Sequence, residues 1–281
     1  MISDIYNLSN SNKRFFAAIC TLCCMAMFTS CQKVIDIKLN DTSKKFVIEA
    51  IVSDQLDSSK VLLTQTKNFN EDNQFPGING AVVSVTDNLG TTTNFIQTTA
   101  GVYRPAAGFR GIVGRTYNLS LTVAGTTFTA TSTMPVKVNL DSAYTTDEFL
   151  FGENRKLVTV DYKEPLGRGN NYRFVQYNNG VKEPTVFVNN DDYTDGKNVA
   201  DRLFFFADDD HEYNKIKTGN LVTIEMLCVD AANYLYWFSL DQSATGNNQS
   251  ASPANPTTNI KGGALGYFSA QTYQKKSFIA Q

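Results

Sequence analysis

The sequence predicts a mainly β protein: an N-terminal antiparallel immunoglobulin-like or transthyretin-like sandwich, then a second β-rich domain with one short helix. Three observations carry this. From Phe46 onward, Val, Ile, Thr, Tyr and Phe alternate with polar residues at a period of two. Turn residues punctuate these runs at short spacing. One stretch alone, "DAANYLYWFSLDQ", shifts to helical spacing. The expected division is residues 46–135 for the sandwich and 136–281 for the second domain, after a signal segment at 1–30 and a tether at 31–45.

In the first domain "KFVIEAIVSD" alternates around Val47, Glu49 and Ile51, and "KVLLTQT" follows a polar turn. "GAVVSVTDNLGTTTNFIQT" reads as a hairpin turning at Asp87–Gly90, and "GVYRP" as a short strand. "RTYNLSLTVAGTTFTATSTMP" is a second hairpin. It directs Tyr117, Leu119, Leu121, Val123, Phe128 and Ala130 inward, turns at Ala124–Thr126 and closes at Pro135, which has no N–H to give a ladder.

The second domain begins near Lys137. "RKLVTVDYKEP" and "NNYRFVQYNNG" are strands joined by "LGRG", and "EPTVFVNN" is another. "DDYTDGK" is a turn: it misses the EF-hand pattern, with Tyr193 at the third position and Arg202 at the twelfth when counted from Asp191. "DRLFFFADDD" is a continuous apolar run, expected to be a strand buried on both faces or a wide inner edge. "GNLVTIEMLCVD" is the clearest strand of this half. In the helix, Asp230 is the expected N-cap and Ala231, Tyr234, Leu235 and Phe238 fall at helical spacing. A Gly/Asn/Pro-rich loop follows, and "ALGYFSAQTYQKKSFIA" ends the chain with one or two strands.

The first thirty residues have a short basic start at Lys13 and Arg14, an apolar run "FFAAICTLCCMAMF" and the small residues Thr29 and Ser30 before Cys31. That is the layout of a secretory signal, and the run is shorter than the roughly 20 residues a membrane helix needs. A cysteine at this junction resembles the lipidation site of a bacterial lipoprotein, where acyl chains hold the mature protein on a membrane at about 0.8 kcal/mol per buried methylene. Phe28 stands where such signals usually carry Leu. Of the five cysteines, Cys20, Cys23 and Cys24 leave with the signal and Cys31 is lipidated, so Cys228 is alone in the mature chain. A lone thiol in a strand can build neither a disulfide framework nor a Cys-rich zinc site, and it reads as a small apolar residue. Removing Asp4, Lys13 and Arg14 with the signal leaves 26 acids against 23 bases. Such a chain has no basic excess to track a phosphate backbone, which argues against nucleic acid as a partner.

Candidates for chemistry are few. His211 is the lone histidine and lies among Asp208, Asp209, Asp210 and Glu212; without a second ligating segment this reads as a solvated acidic loop, and no metal or cofactor is expected. Asp161, Glu164 and Glu225 are carboxylates that a hydrolase could pair only in space. No GxSxG elbow and no Gly-rich phosphate loop occur, so no catalytic residue is assigned. Among the aromatics, Tyr236 and Trp237 are the expected exposed pair and the candidate ligand surface.

The tail "SPANPTTNIKGGALGYFSA", with "IDI" after the cysteine, "FVIEAIVSD", "GAVVSVTDNLG", "DSAY", "DDYTDGK" and "GNLVTIEMLCVDAANYLYW" in order, resembles a Bacteroidota lipoprotein family known as domain of unknown function 4249. The resemblance implies a lipid-anchored cell-envelope protein of the outer membrane, often associated with TonB-dependent receptors, with no established activity or catalytic residues. "CQKVID" lacks the acidic residues that surface-exported lipoproteins of this lineage often carry after the cysteine, so periplasmic and surface leaflets stay open. "DSA" at Asp141–Ala143 fits the short O-glycosylation pattern of that lineage, with Ser142 as acceptor; a loop at a domain start explains it equally well. The expected function is a non-catalytic accessory or docking protein for an outer-membrane uptake system. A glycan-binding surface lipoprotein is the alternative, and a carboxylate-based hydrolase the third reading.

Overall fold

The computed structural model describes residues 43–68, 71–150, 152–205, 215–243 and 254–281. The chain there is mainly β. The first half contributes β1 (Phe46–Ser53), β2 (Lys60–Gln65), β3 (Val82–Asp87), β4 (Thr92–Thr99), β5 (Val102–Arg104), β6 (Thr116–Val123) and β7 (Thr126–Thr133). The second contributes β8 (Leu140–Leu150), β9 (Glu153–Lys163), β10 (Asn171–Asn178), β11 (Val181–Lys182), β12 (Phe187–Asn190), β13 (Asn198–Leu203), β14 (Leu221–Val229), α1 (Ala231–Ser243) and β15 (Leu265–Ile279). One path of hydrogen-bonded strands runs β11-β10-β14-β15-β1-β2-β5-β4-β3-β6-β7, with β12 also on β10, and a separate three-stranded sheet runs β13-β9-β8.

The two-residue periodicity decides which side chains meet. Ile48, Ala50 and Val52 on β1 and Val61 and Leu63 on β2 are fully buried, while Glu49 between them faces out. They pack against Val83, Val85, Leu119, Leu121, Phe128 and Ala130 of the β3-β6-β7 layer, forming a β-sandwich core. The β6–β7 hairpin turns on Ala124 and Gly125, both at positive φ, the geometry of a two-residue turn that matches strand twist. Asp87 closes the β3–β4 hairpin by accepting the N–H groups of Leu89 at 3.0 Å and Thr91 at 2.9 Å. A second core lies between the β10-β14-β15 ladder and the three-stranded sheet, built on Tyr162, Tyr172, Phe174, Ile224, Met226 and Cys228 among others. The Cys228 thiol is buried, accepts the Val138 N–H at 3.4 Å, and is pushed up in pKa by that burial.

Three elements depart from expectation. The segment after Asp141, read as a loop, forms the eleven-residue strand β8, paired with β9 along its length; its polar and apolar residues mix half-buried and exposed positions, so no alternation marks it. A register shift near Asp141 lets Ser142 donate to Asp161 at 2.7 Å. β13 begins earlier than the apolar run and ends at Leu203, an edge strand paired with β9 alone; Phe205 fills the core beyond it. The chain terminus is one fifteen-residue strand, within the expected one or two, and it departs only in its pairing. β15 also pairs in parallel with β1, Ile48 opposite Gly266, where an antiparallel arrangement was expected.

β15 belongs to both cores. Its Phe268 and Ala270 pack in the first and its Phe278, with Ala280 just beyond, in the second.

Candidate functional site

The outward face of the β10-β14-β15-β1 ladder carries α1, and the start of that helix is pinned from three directions. Asp230 is the N-cap: its Oδ1 accepts the Asn233 N–H at 3.0 Å. Its Oδ2 accepts Ser132 Oγ at 2.6 Å and the Thr133 N–H at 3.0 Å, tying the helix to β7. Asn233, fully buried, donates from Nδ2 to the Phe268 carbonyl of β15 at 2.9 Å. Asn259 pairs with the same residue, accepting the Phe268 N–H at 3.0 Å and donating to its carbonyl at 2.8 Å. From Asn259 onward, the tail that carries the family resemblance is thus the joint between β7, β15 and α1.

This pinning sets the helix rotation and overturns part of the expected facing: Tyr234 packs on Val175, Leu227 and Val229 as its spacing requires, but Tyr236 and Trp237, the expected exposed pair, turn inward. Asn233, Tyr236, Trp237 and Leu240, spaced three and four apart, turn toward the ladder. Leu235 and Phe238 are the exposed pair, at 45% and 43%. The polar Asn233 anchors the inward face, and a count of apolar spacing passes over it. Tyr236 and Trp237 are half-buried against Tyr267, with ring centroids 4.9 and 5.0 Å from it. Burial pushes the Tyr236 phenol up to about 12.

Trp237 has a further neighbour. The guanidinium of Arg173, on β10, lies 3.4 Å from the centroid of its indole, a close cation–π stack. Two adjoining hollows meet at this cation, of about 270 and 230 Å³, and both are lined by Arg173, Val175 and Lys182. Trp237 and Leu240 wall the smaller; Glu225, Tyr177 and Tyr273 wall the larger. Glu225 accepts the phenol of Tyr273 at 2.9 Å and that of Tyr177 at 3.4 Å. Among the described residues, neither Arg173 nor Lys182 has a carboxylate within salt-bridge distance. Desolvation lowers the pKa of both, and the positive charge of Arg173 lowers that of Lys182 further. The larger hollow therefore gathers three cations, Arg173, Lys182 and Lys60, above an apolar floor of Val175 and Leu227; Glu225 lines it opposite Val175, and Glu225 and Glu49 act on Arg173 and Lys182 through space without a direct ion pair.

The other sequence candidates do not converge. Asp161 accepts from Ser142 and, at 3.4 Å, from Tyr144. Glu164 is buried and accepts from Tyr172 and Asn170, each at 2.8 Å; desolvation raises its pKa against those bonds. With Glu225 on the outer face, the three carboxylates sit in three separate hydrogen-bond networks. Asp191–Lys197 is a turn, its Asp191 carboxylate accepting the Gly169 and Asn170 N–H groups at 3.0 Å. Among the described residues no group of acids, His and Cys could hold a metal ion, and no helix is long and apolar enough to cross a membrane. Cys31 and the His211 segment lie outside the described residues. Sequence reasoning missed Arg173 and Lys182. The signal was present: Arg173 is the one charge in "NNYRFVQYN", between the buried Tyr172 and Phe174.

No curated protein matches the chain. A solved structure described as a DUF4785 family protein from Legionella pneumophila is similar at 10% identity and a TM-score of 0.25, over 66% of this chain and 52% of that one. The chain thus spans about half the length of that structure. Residues 32–277 match the family described as "Domain of unknown function (DUF4249)", and with most of its length matched the protein belongs to that family.

Proposed function

We propose that this protein is a non-catalytic cell-envelope lipoprotein. In this reading it is anchored in the outer membrane through Cys31 and serves as an accessory or docking protein of a TonB-dependent uptake system. The observation that carries a binding role is the stacked Arg173 at the centre of the two hollows. A guanidinium fixed on an aromatic plane is a recognition device, with its fork oriented in advance of any ligand. The separation of Asp161, Glu164 and Glu225 into distinct networks supports binding over carboxylate catalysis. The signal layout before Cys31 and the family resemblance support the anchor, the Bacteroidota source and the receptor partner.

The test is affinity capture from detergent-solubilised native membranes, with a C-terminal tag, comparing wild type with Cys31→Ala. Wild type is expected to sediment with outer membranes and to bring down a TonB-type receptor, and Cys31→Ala to do neither. Capture of no receptor by a correctly anchored wild type would defeat the accessory role.

A second reading, a glycan-binding surface lipoprotein, is favoured by the polar, phenol-walled hollow over an apolar floor. Here Trp237 supports Arg173 and does not offer a free ring to a sugar, because the guanidinium covers one indole face.

A further inference from the structure

We infer that the hollow between Arg173, Lys182 and Glu225 binds a hydroxyl-rich ligand carrying a carboxylate, that is, an acidic saccharide. This deepens the glycan-binding reading and rests on it. Arg173 sits on β10 with its guanidinium held over Trp237 at 3.4 Å, and Lys182 lines the same two hollows from β11. Lys60 lines the larger hollow as a third cation; no carboxylate of the described chain is in salt-bridge range of the three, and the fields of Glu225 and Glu49 leave an excess of one positive charge for an anion to answer. A planar guanidinium fork and a mobile ammonium suit a carboxylate, the first by two parallel hydrogen bonds and the second as a point charge.

The rest of the lining narrows the class. Glu225 faces the larger hollow and already accepts from two phenols, Tyr273 and Tyr177. A phosphate dianion between the cations would be repelled by that carboxylate. A monoanionic carboxylate suffers less repulsion, and ligand hydroxyls can donate to the lone pairs of Glu225 that the phenols leave open. The floor of Val175 and Leu227 offers apolar contact to the C–H face of a pyranose ring. Cations, a carboxylate acceptor and an apolar floor within one hollow match a sugar acid.

Trp237 is the sole tryptophan of the chain, so its emission reports on Arg173 without labelling. The experiment titrates the detergent-solubilised full-length protein with tetragalacturonate and follows fluorescence and calorimetric heat. The fully methyl-esterified tetramer serves as the uncharged twin and inorganic phosphate as the bare anion. Tetragalacturonate is expected to shift Trp237 emission and to bind more weakly as salt rises. The ester is expected to bind at least about tenfold more weakly, and Arg173→Met and Lys182→Gln each to lower affinity by roughly tenfold. Lys182 is exposed, so its variant keeps the fold if Arg173→Met does not. Equal binding of acid and ester would overturn the anionic class and leave the glycan-binding reading standing. Phosphate binding as tight as tetragalacturonate would overturn the saccharide part. Silence from both tetramers, in protein that still captures its receptor, would overturn the inference together with the glycan reading while the docking role survives.

Discussion

At the scale of single residues, burial without a matching charge recurs on both faces of the β10 ladder. On the inner side Glu164 is the case in point. It accepts from Tyr172 and Asn170, and its Oε2 has no protein partner among the described residues. Desolvation raises its pKa above the ordinary carboxylate value, the two hydrogen bonds oppose that rise, and Asp191 and Asp195 nearby add to it. The folded state therefore holds this proton to higher pH than the unfolded state does. Between the two pKa values the native form binds more protons, so stability falls as pH rises through that window. Glu164→Gln keeps an acceptor for Tyr172 and Asn170 and removes the charge. The variant is expected to melt at the same temperature as wild type at low pH and at a higher temperature at neutral pH. Thermal melts from pH 4 to 8 check this; a wild type that gains stability relative to Glu164→Gln as pH rises would contradict it.

At the scale of elements, β15 is the most demanding, and its entry explains the glycines of the tail. Gly266 lies at φ +99 opposite Ile48 in the parallel ladder, and a Cβ there would stand 2.0 Å from the Ile48 carbonyl oxygen. Both the conformation and the approach exclude a side chain. Gly263 also has positive φ, but a Cβ there meets nothing within 4 Å. Gly266→Ala is expected to cost about 3 kcal/mol or more, since backbone strain adds to a clash with backbone. Gly263→Ala should cost about 1 kcal/mol, from conformation alone. Urea denaturation of the two variants measures the difference, and equal losses would mean that β15 can move away from β1 at little cost. In α1 the same lesson holds in reverse. Its apolar residues are spread around the helix, and the cap at Asp230 with the buried Asn233 decides which of them face the ladder.

At the scale of the molecule, β15 couples the two cores, because its first half packs in one and its second half in the other. Unfolding either core would strip that strand of half its partners. The described body is expected to unfold in a single calorimetric transition, with calorimetric and van't Hoff enthalpies in agreement. Two resolved transitions would show that each core is stable alone. The same coupling bears on the candidate site. The larger hollow is lined from β1 and β2 of the first half and from β10 and β14 of the second.

Most strands were legible in the sequence because a half-buried strand writes its period into its composition: Tyr117, Leu119, Leu121 and Val123 point inward as the alternation requires. β8 was not legible, since its polar and apolar residues do not alternate between buried and exposed positions. Glu225 was visible as a carboxylate, but its phenol partners were not, because Tyr177 and Tyr273 reach it from two other strands. By itself the sequence determined the mainly β class, most of the strands, the N-cap at Asp230 and the family. Only the tertiary structure decided the parallel pairing of β1 with β15, the inward face of α1 and the meeting of Arg173, Trp237, Lys182 and Glu225. Periodicity is a local property that one segment can display alone, whereas register and rotation are fixed by hydrogen bonds between residues far apart in the chain, such as Asn233 to Phe268 and Asp230 to Ser132.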